Sequence, residues 1–297
     1  MSENITHTAV TDDCVRLALR SPTICDAFRE CLAENLEIAR LSGSTRSGDR
    51  FTASLLAKYR DAWPNRTEGD MLPQKLAFVL GWLCHRAADR QMKPIFHAVD
   101  ADCPESPTDC SIYHDVFLLR EVYGGGEREP YSPATAEVRM GSLPAAQALD
   151  VGQVEDLLRA MWQRALIGLH TFIPDRDDIE GWIERLLAAR QEFSVDIRRY
   201  AEAFANPDPD KMKRFIHDVS FYDRDDPIIR LARSLQHGSA DEGIDLADAV
   251  EAAESQSQYA QALRRAYLYI QAASEYFEGR LEEDTLRYKL DVGKPGG

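Results

Sequence analysis

An all-α fold is predicted by three observations. Apolar residues recur at helical spacing nearly throughout, strand-like alternation is nearly absent, and the breaks fall at Gly and Pro. Ser21-Pro22 supplies an N-cap followed by proline at the first helical position. It opens a helix through Ile24, Phe28, Cys31, Leu32, Leu36 and Ile38 that stops near Gly43. A shorter helix over 51–62 ends before Pro64, and a helix over 73–92 is terminated by Pro94. A loop at 98–111 holds Pro104 and Pro107, and the next helix, 112–123, stops at Gly124-Gly125-Gly126. Residues 124–150 are the least regular stretch, with Pro130, Pro133 and Pro144, and suit a flap or a connection. Helical periodicity then returns at 151–170, 177–204, 208–220, 226–237, 244–254, 256–279 and 281–290. The organisation that follows is a helical core over 1–125, an irregular connection at 126–150, and a helical region over 151–297 packed on the core.

A chain of 297 residues is long enough to bury a sizeable core, and 44% hydrophobic with 29% charged residues is the balance of a soluble globular protein. The net charge of −15 opposes binding to nucleic acid or to an anionic membrane surface, both polyanions. The opening Met-Ser-Glu-Asn-Ile-Thr-His has neither a basic nor an apolar leader segment. No apolar run approaches the roughly 18–20 residues of a transmembrane helix, so a cytoplasmic location is expected. The six cysteines lack CxxC spacing, which argues against a zinc knuckle. Cys103 and Cys110 alone share a loop.

The chemistry concentrates at residues 76–97. This apolar helix carries His85 and Asp89 four residues apart on one face, close enough to share a metal ion. An imidazole and a carboxylate suit zinc or another first-row divalent metal. Leu76, Phe78, Val79, Leu80, Trp82 and Leu83 cover nearly the whole circumference, so the helix is expected to be buried. A buried Asp is costly unless paired or metal-bound. Arg86 or Arg90 offers a partner without any metal, and with Lys93 they also offer cations for a phosphate.

The order Thr6-His7-Thr8, then Ser42-Gly43 through Gly48-Asp49, then Gly81-Trp82-Leu83-Cys84-His85-x3-Asp89 with Pro94, then His114 resembles the zinc-dependent phospholipase C family and the related P1-type nucleases. The resemblance covers roughly residues 5–125, and the Gly-Trp-Leu-x-His-x3-Asp block is its most specific part. It implies a metal cluster between helices and a metal-activated water attacking a phosphoester. It further implies His7, Asp49, His85 and Asp89 as direct ligands, with Asp89 bridging, and His114 at a second position. Asp49 and Asp89 are the candidate catalytic carboxylates. The implied cofactor is Zn2+, one to three ions, and the implied substrate a phosphoester small molecule or a lipid head group.

The chain departs from the family pattern in three places. Residues 50–84 contain no histidine. Lys93 stands before Pro94, with His97 one turn further on. Leu118 follows His114 by four residues, while Glu121 lies two turns on. His97, Glu121 and Lys93 are therefore additional candidates, and His97 beside Phe96 is expected to pack.

Two alternatives remain beside the hydrolase. One is a helical scaffold or interaction protein without a full metal set. The other is an all-α Mg2+-dependent enzyme using Asp175-Arg-Asp-Asp178 and Asp223-Arg-Asp-Asp226. Each of these segments precedes a helix, where carboxylates cap free N–H groups. His170, His217 and His237 fall near helix ends, where they favour the dipole.

Overall fold

The computed structural model describes residues 4–44, 51–103, 107–126, 177–239 and 243–292. Among these residues the regular elements are all helical, and the fold is all-α. In chain order they are α1 (Asn4–Arg20), α2 (Asp26–Glu34), α3 (Leu36–Gly43), α4 (Thr52–Ala62), α5 (Leu72–Val99) and α6 (Asp109–Tyr123). There follow α7 (Ile179–Ala205), α8 (Pro209–Met212) running into a π turn (Lys213–His217), α9 (Pro227–His237), α10 (Leu246–Ala252), α11 (Gln258–Phe277) and α12 (Glu283–Lys289). The helix expected at 151–170, nearly all of the 126–150 connection and His170 lie outside the described residues. No described helix is long and apolar enough to cross a membrane.

α1 is the central element. It packs against α3, α5, α6, α9 and α11, and every residue from Ile5 to Val15 is buried. Polar side chains on such a helix must be bonded internally. Thr8 and Thr11 return their hydroxyls to the carbonyls of Asn4 and His7, one turn back. Asp12 accepts two bonds from Arg40 on α3, at 2.6 and 2.9 Å, and one from the Tyr123 hydroxyl on α6. Asp13 meets Arg16 on its own helix, Arg233 on α9 and the Tyr259 hydroxyl on α11. The apolar remainder, including Ile5, Val10 and Leu17, joins Leu76, Leu80 and Leu83 of α5 and Leu263 and Ile270 of α11 in one core. The second half of the chain thus closes the core begun by the first. Cys25 N donates to Ser274 Oγ at 2.8 Å, and the Tyr267 hydroxyl meets Ser21 Oγ at 2.8 Å.

The start of α1 rests on a carboxylate from α6. Asp115 accepts the main-chain N–H groups of Asn4 and Thr6, each at 2.8 Å, and the hydroxyls of Thr6 and Tyr200. These bonds satisfy donors that a helix start leaves free. Burial nonetheless lifts the Asp115 carboxyl from 3.8 to about 6, with the bonds from Thr6, Ile5 and Asn4 offsetting it only in part. The folded chain therefore binds more protons than the unfolded one between about pH 4 and 6. The Asp115 contribution to stability is fullest below about pH 4 and is lost as pH rises through about 6. Asp115→Asn removes this titration. Its stability minus that of the wild type, from urea midpoints, is expected to rise with pH over that window. A flat or falling difference would contradict the assignment.

Three elements differ from the sequence expectation or go beyond it. α5 continues past Pro94 to Val99. Proline deprives the Arg90 carbonyl of its helical donor, but Met92 and Phe96 are both buried, and Phe96 packs on the His114 ring at 5.5 Å. That burial carries the helix beyond the proline. The helix expected up to Gly43 is two helices, because the Ser21 hydroxyl is held by Tyr267 and α2 begins only at Asp26. Asn35 then divides α2 from α3 by donating its side-chain amide to the Cys31 carbonyl at 3.0 Å. Finally, α1, which the sequence reading did not delimit, encloses His7, since the Asp115 cap lets the helix begin at Asn4.

A close crossing of helices sets up the site. A methyl group at Gly81 of α5 would overlap the Ser42 hydroxyl and the Ala39 carbonyl oxygen of α3. One at Gly43 would overlap Thr11 Oγ1 of α1. Two glycines therefore let three helices meet, and they bring His7, the Gly43 carbonyl and His85 together.

Candidate metal centre

His7 Nε2 lies 3.2 Å from Asp89 Oδ1, and His85 Nε2 lies 3.4 Å from Asp89 Oδ2. The two imidazoles stack with centroids 4.2 Å apart and planes inclined by 21°. One ligating atom from each of the three residues lies within 4.8 Å of the others; among the described residues no other group of three His, Cys, Asp or Glu does so. α5 contributes His85 and Asp89 one turn apart, and α1 contributes His7 across the interface.

The main chain sets the tautomer of His85. Its Nδ1 stands 3.0 Å from the Gly43 carbonyl oxygen, and a carbonyl only accepts, so Nδ1 carries the proton. In the neutral ring Nε2 then turns a lone pair towards the Asp89 carboxylate. Two acceptors facing each other need a cation between them, either a proton or a metal ion.

Asp89 is held in its ionised form. Burial alone would raise its carboxyl, but His7 and His85, when their Nε2 atoms carry protons, bond to it and keep it far below the usual carboxylate range. Lys93, one turn further along α5, places Nζ 2.7 Å from Oδ2.

Two imidazoles and a carboxylate are a donor set that zinc accepts. The two contacts to Asp89 run to different oxygens, His7 to Oδ1 and His85 to Oδ2, and one ligating atom of each residue lies within 4.8 Å of the others.

The other expected residues fall elsewhere. Asp49 lies outside the described residues. His114 does not join the three. It is fully buried on α6, with Nε2 2.9 Å from the Phe215 carbonyl in the π turn and its ring stacked on Phe221 at 3.6 Å. Burial pushes its imidazole down to about 3, against the bond to Phe215, so it stays neutral. Glu121 pairs with Arg224, and His97 is exposed further along α5 rather than packed. Arg86 and Arg90, expected near Asp89, direct donors to the carbonyls of Leu290 and Asp291.

Among the described residues of the aspartate-rich segments, Asp178, Asp223 and Asp226 serve helix starts and turns. Asp178 accepts Gly181 N at 3.0 Å, Asp226 accepts from Ser257, and Asp223 accepts Asp225 N. Cys103 and Cys110 are free thiols, and Cys110 is buried. Two participants escaped the sequence reading. The Gly43 carbonyl has no side-chain signature, and Asp115 beside His114 gave no sign that it caps α1.

No family model matches this chain, and neither a curated protein nor a solved structure matches it. Its chemistry is read from the site itself.

Proposed function

We propose that His7, His85 and Asp89 hold a divalent first-row metal ion, preferentially zinc. On this reading the chain is a metal-dependent phosphoesterase of the kind its resemblance to the zinc-dependent phospholipase C family implies. His85 carries the proposal: with Nδ1 committed to the Gly43 carbonyl, its Nε2 and the Asp89 carboxylate face each other as two acceptors that require a cation. Three protein ligands rather than four is the pattern of catalytic zinc sites. A bound metal supplies a water that ionises near neutral pH and positive charge for the phosphoryl oxygens.

The chain's own residues prepare the site. The Gly43 carbonyl fixes the His85 ring, as outer hydrogen bonds do for ligating histidines. His7, buried in α1, closes the inner side against water.

One observation favours a second reading. The Lys93 ammonium already gives Asp89 a cation, so the cluster also suits an ion pair that locks α1 to α5 in a protein with a scaffolding role. Elemental mass spectrometry separates the two. After zinc reconstitution the wild type is expected to hold about one equivalent or more, with little in Asp89→Asn. Hydrolysis of bis(p-nitrophenyl) phosphate should be lost together with the metal. A wild type that takes up no zinc leaves the ion-pair reading in its place.

A further inference from the structure

We infer that Lys93 competes with the metal ion for Asp89 and, once displaced, becomes the cation that receives a soluble phosphoryl anion at the mouth of the site. This rests on the metal reading above and adds a residue and a ligand class to it.

The side chains of the cluster are graded from inside to outside. Exposure is 1% for His7, 10% for His85, 14% for Asp89 and 41% for Lys93. A ligand therefore approaches past Lys93. His85, Asp89 and Lys93 follow one another at single-turn intervals on α5. Asp89 Oδ2 is shared between them, with His85 Nε2 at 3.4 Å and Lys93 Nζ at 2.7 Å. A divalent ion held by Asp89 and His85 would repel the neighbouring ammonium. The four-carbon stem of lysine is flexible and strongly hydrated at its tip, so the ammonium moves outward and remains tethered one turn from the ligands. There it pairs with an anion on the outer side of the metal. The net charge of −15 disfavours an anionic lipid surface as the source, which leaves a small soluble phosphate or phosphoester.

The test compares wild type, Lys93→Met and Lys93→Arg in two titrations. Zinc affinity is measured against a chromophoric chelator, and inorganic phosphate is titrated calorimetrically into the zinc-loaded proteins. Lys93→Met is expected to bind zinc about fivefold more tightly, because a competing ion pair is gone. It should bind phosphate about tenfold more weakly, having lost a charge-assisted hydrogen bond. Lys93→Arg should restore phosphate binding. If zinc binds all three proteins and either affinity is unchanged in Lys93→Met, the Lys93 inference is overturned while the metal reading stands. If zinc binds none of them, the metal reading fails and the inference falls with it.

Discussion

Asp13→Ala is expected to lower the folding free energy by about 3–5 kcal/mol, as removal of one partner from a buried ion pair does. Asp13 is fully buried on α1, where it meets Arg16, Arg233 and the Tyr259 hydroxyl. Arg16 retains some exposure and can turn to water. Arg233 cannot do so easily, because its side chain is mostly buried and its other bond is to Gln236 on the same helix. The variant leaves a guanidinium charge inside the bundle without its carboxylate. Removing both charges should cost much less than removing one, so Asp13→Ala with Arg233→Met is expected to recover most of the loss. Urea unfolding of the two single variants and the double variant measures this directly. Additive losses would show that the two charges do not depend on each other.

That network explains where sequence reading reached its limit. The helices were legible because burial of one face imposes a helical period on neighbouring residues. His85 and Asp89 were legible for the same reason, since four-residue spacing on one helix is a local property. Asp12 had no local signal, and Asp13 had only Arg16, three residues on. Their partners Arg40, Tyr123 and Tyr259 stand 28, 111 and 246 residues away. His7 drew notice through a family resemblance, whereas the structure brings it to Asp89 by the crossing of α1 and α5. His114 shows the converse. A histidine at a helix start has the same local sequence whether it faces a metal or a π turn, and the rotation of α6 against Phe221 and Phe215 decides between them. At Pro94 a sound local rule lost to the burial of Phe96. In each case a distant contact outweighed a local preference.

The site inherits its geometry from the fold most directly at Gly81. Glycine inside a helix normally costs about 1 kcal/mol relative to alanine, so Gly81→Ala would stabilise α5 if only propensity mattered. The expected result is the opposite, a loss of about 1–3 kcal/mol, because the added methyl overlaps the Ser42 hydroxyl and the Ala39 carbonyl oxygen. A serine hydroxyl can rotate away but a main-chain carbonyl cannot, so adding Ser42→Ala should not rescue the variant. α3 must instead withdraw from α5, taking the Gly43 carbonyl at its end away from His85 Nδ1. With the tautomer of His85 no longer fixed, zinc affinity is expected to fall about tenfold, as when a ligating histidine loses its outer hydrogen bond. Leu286→Ala on α12, which packs on α4 and α11, provides the control. It should lose about 2–5 kcal/mol through cavity formation with zinc affinity unchanged in the folded protein. Equal zinc affinity in Gly81→Ala and wild type would mean that the Gly43 carbonyl does not position His85, and the metal reading would lose its main support.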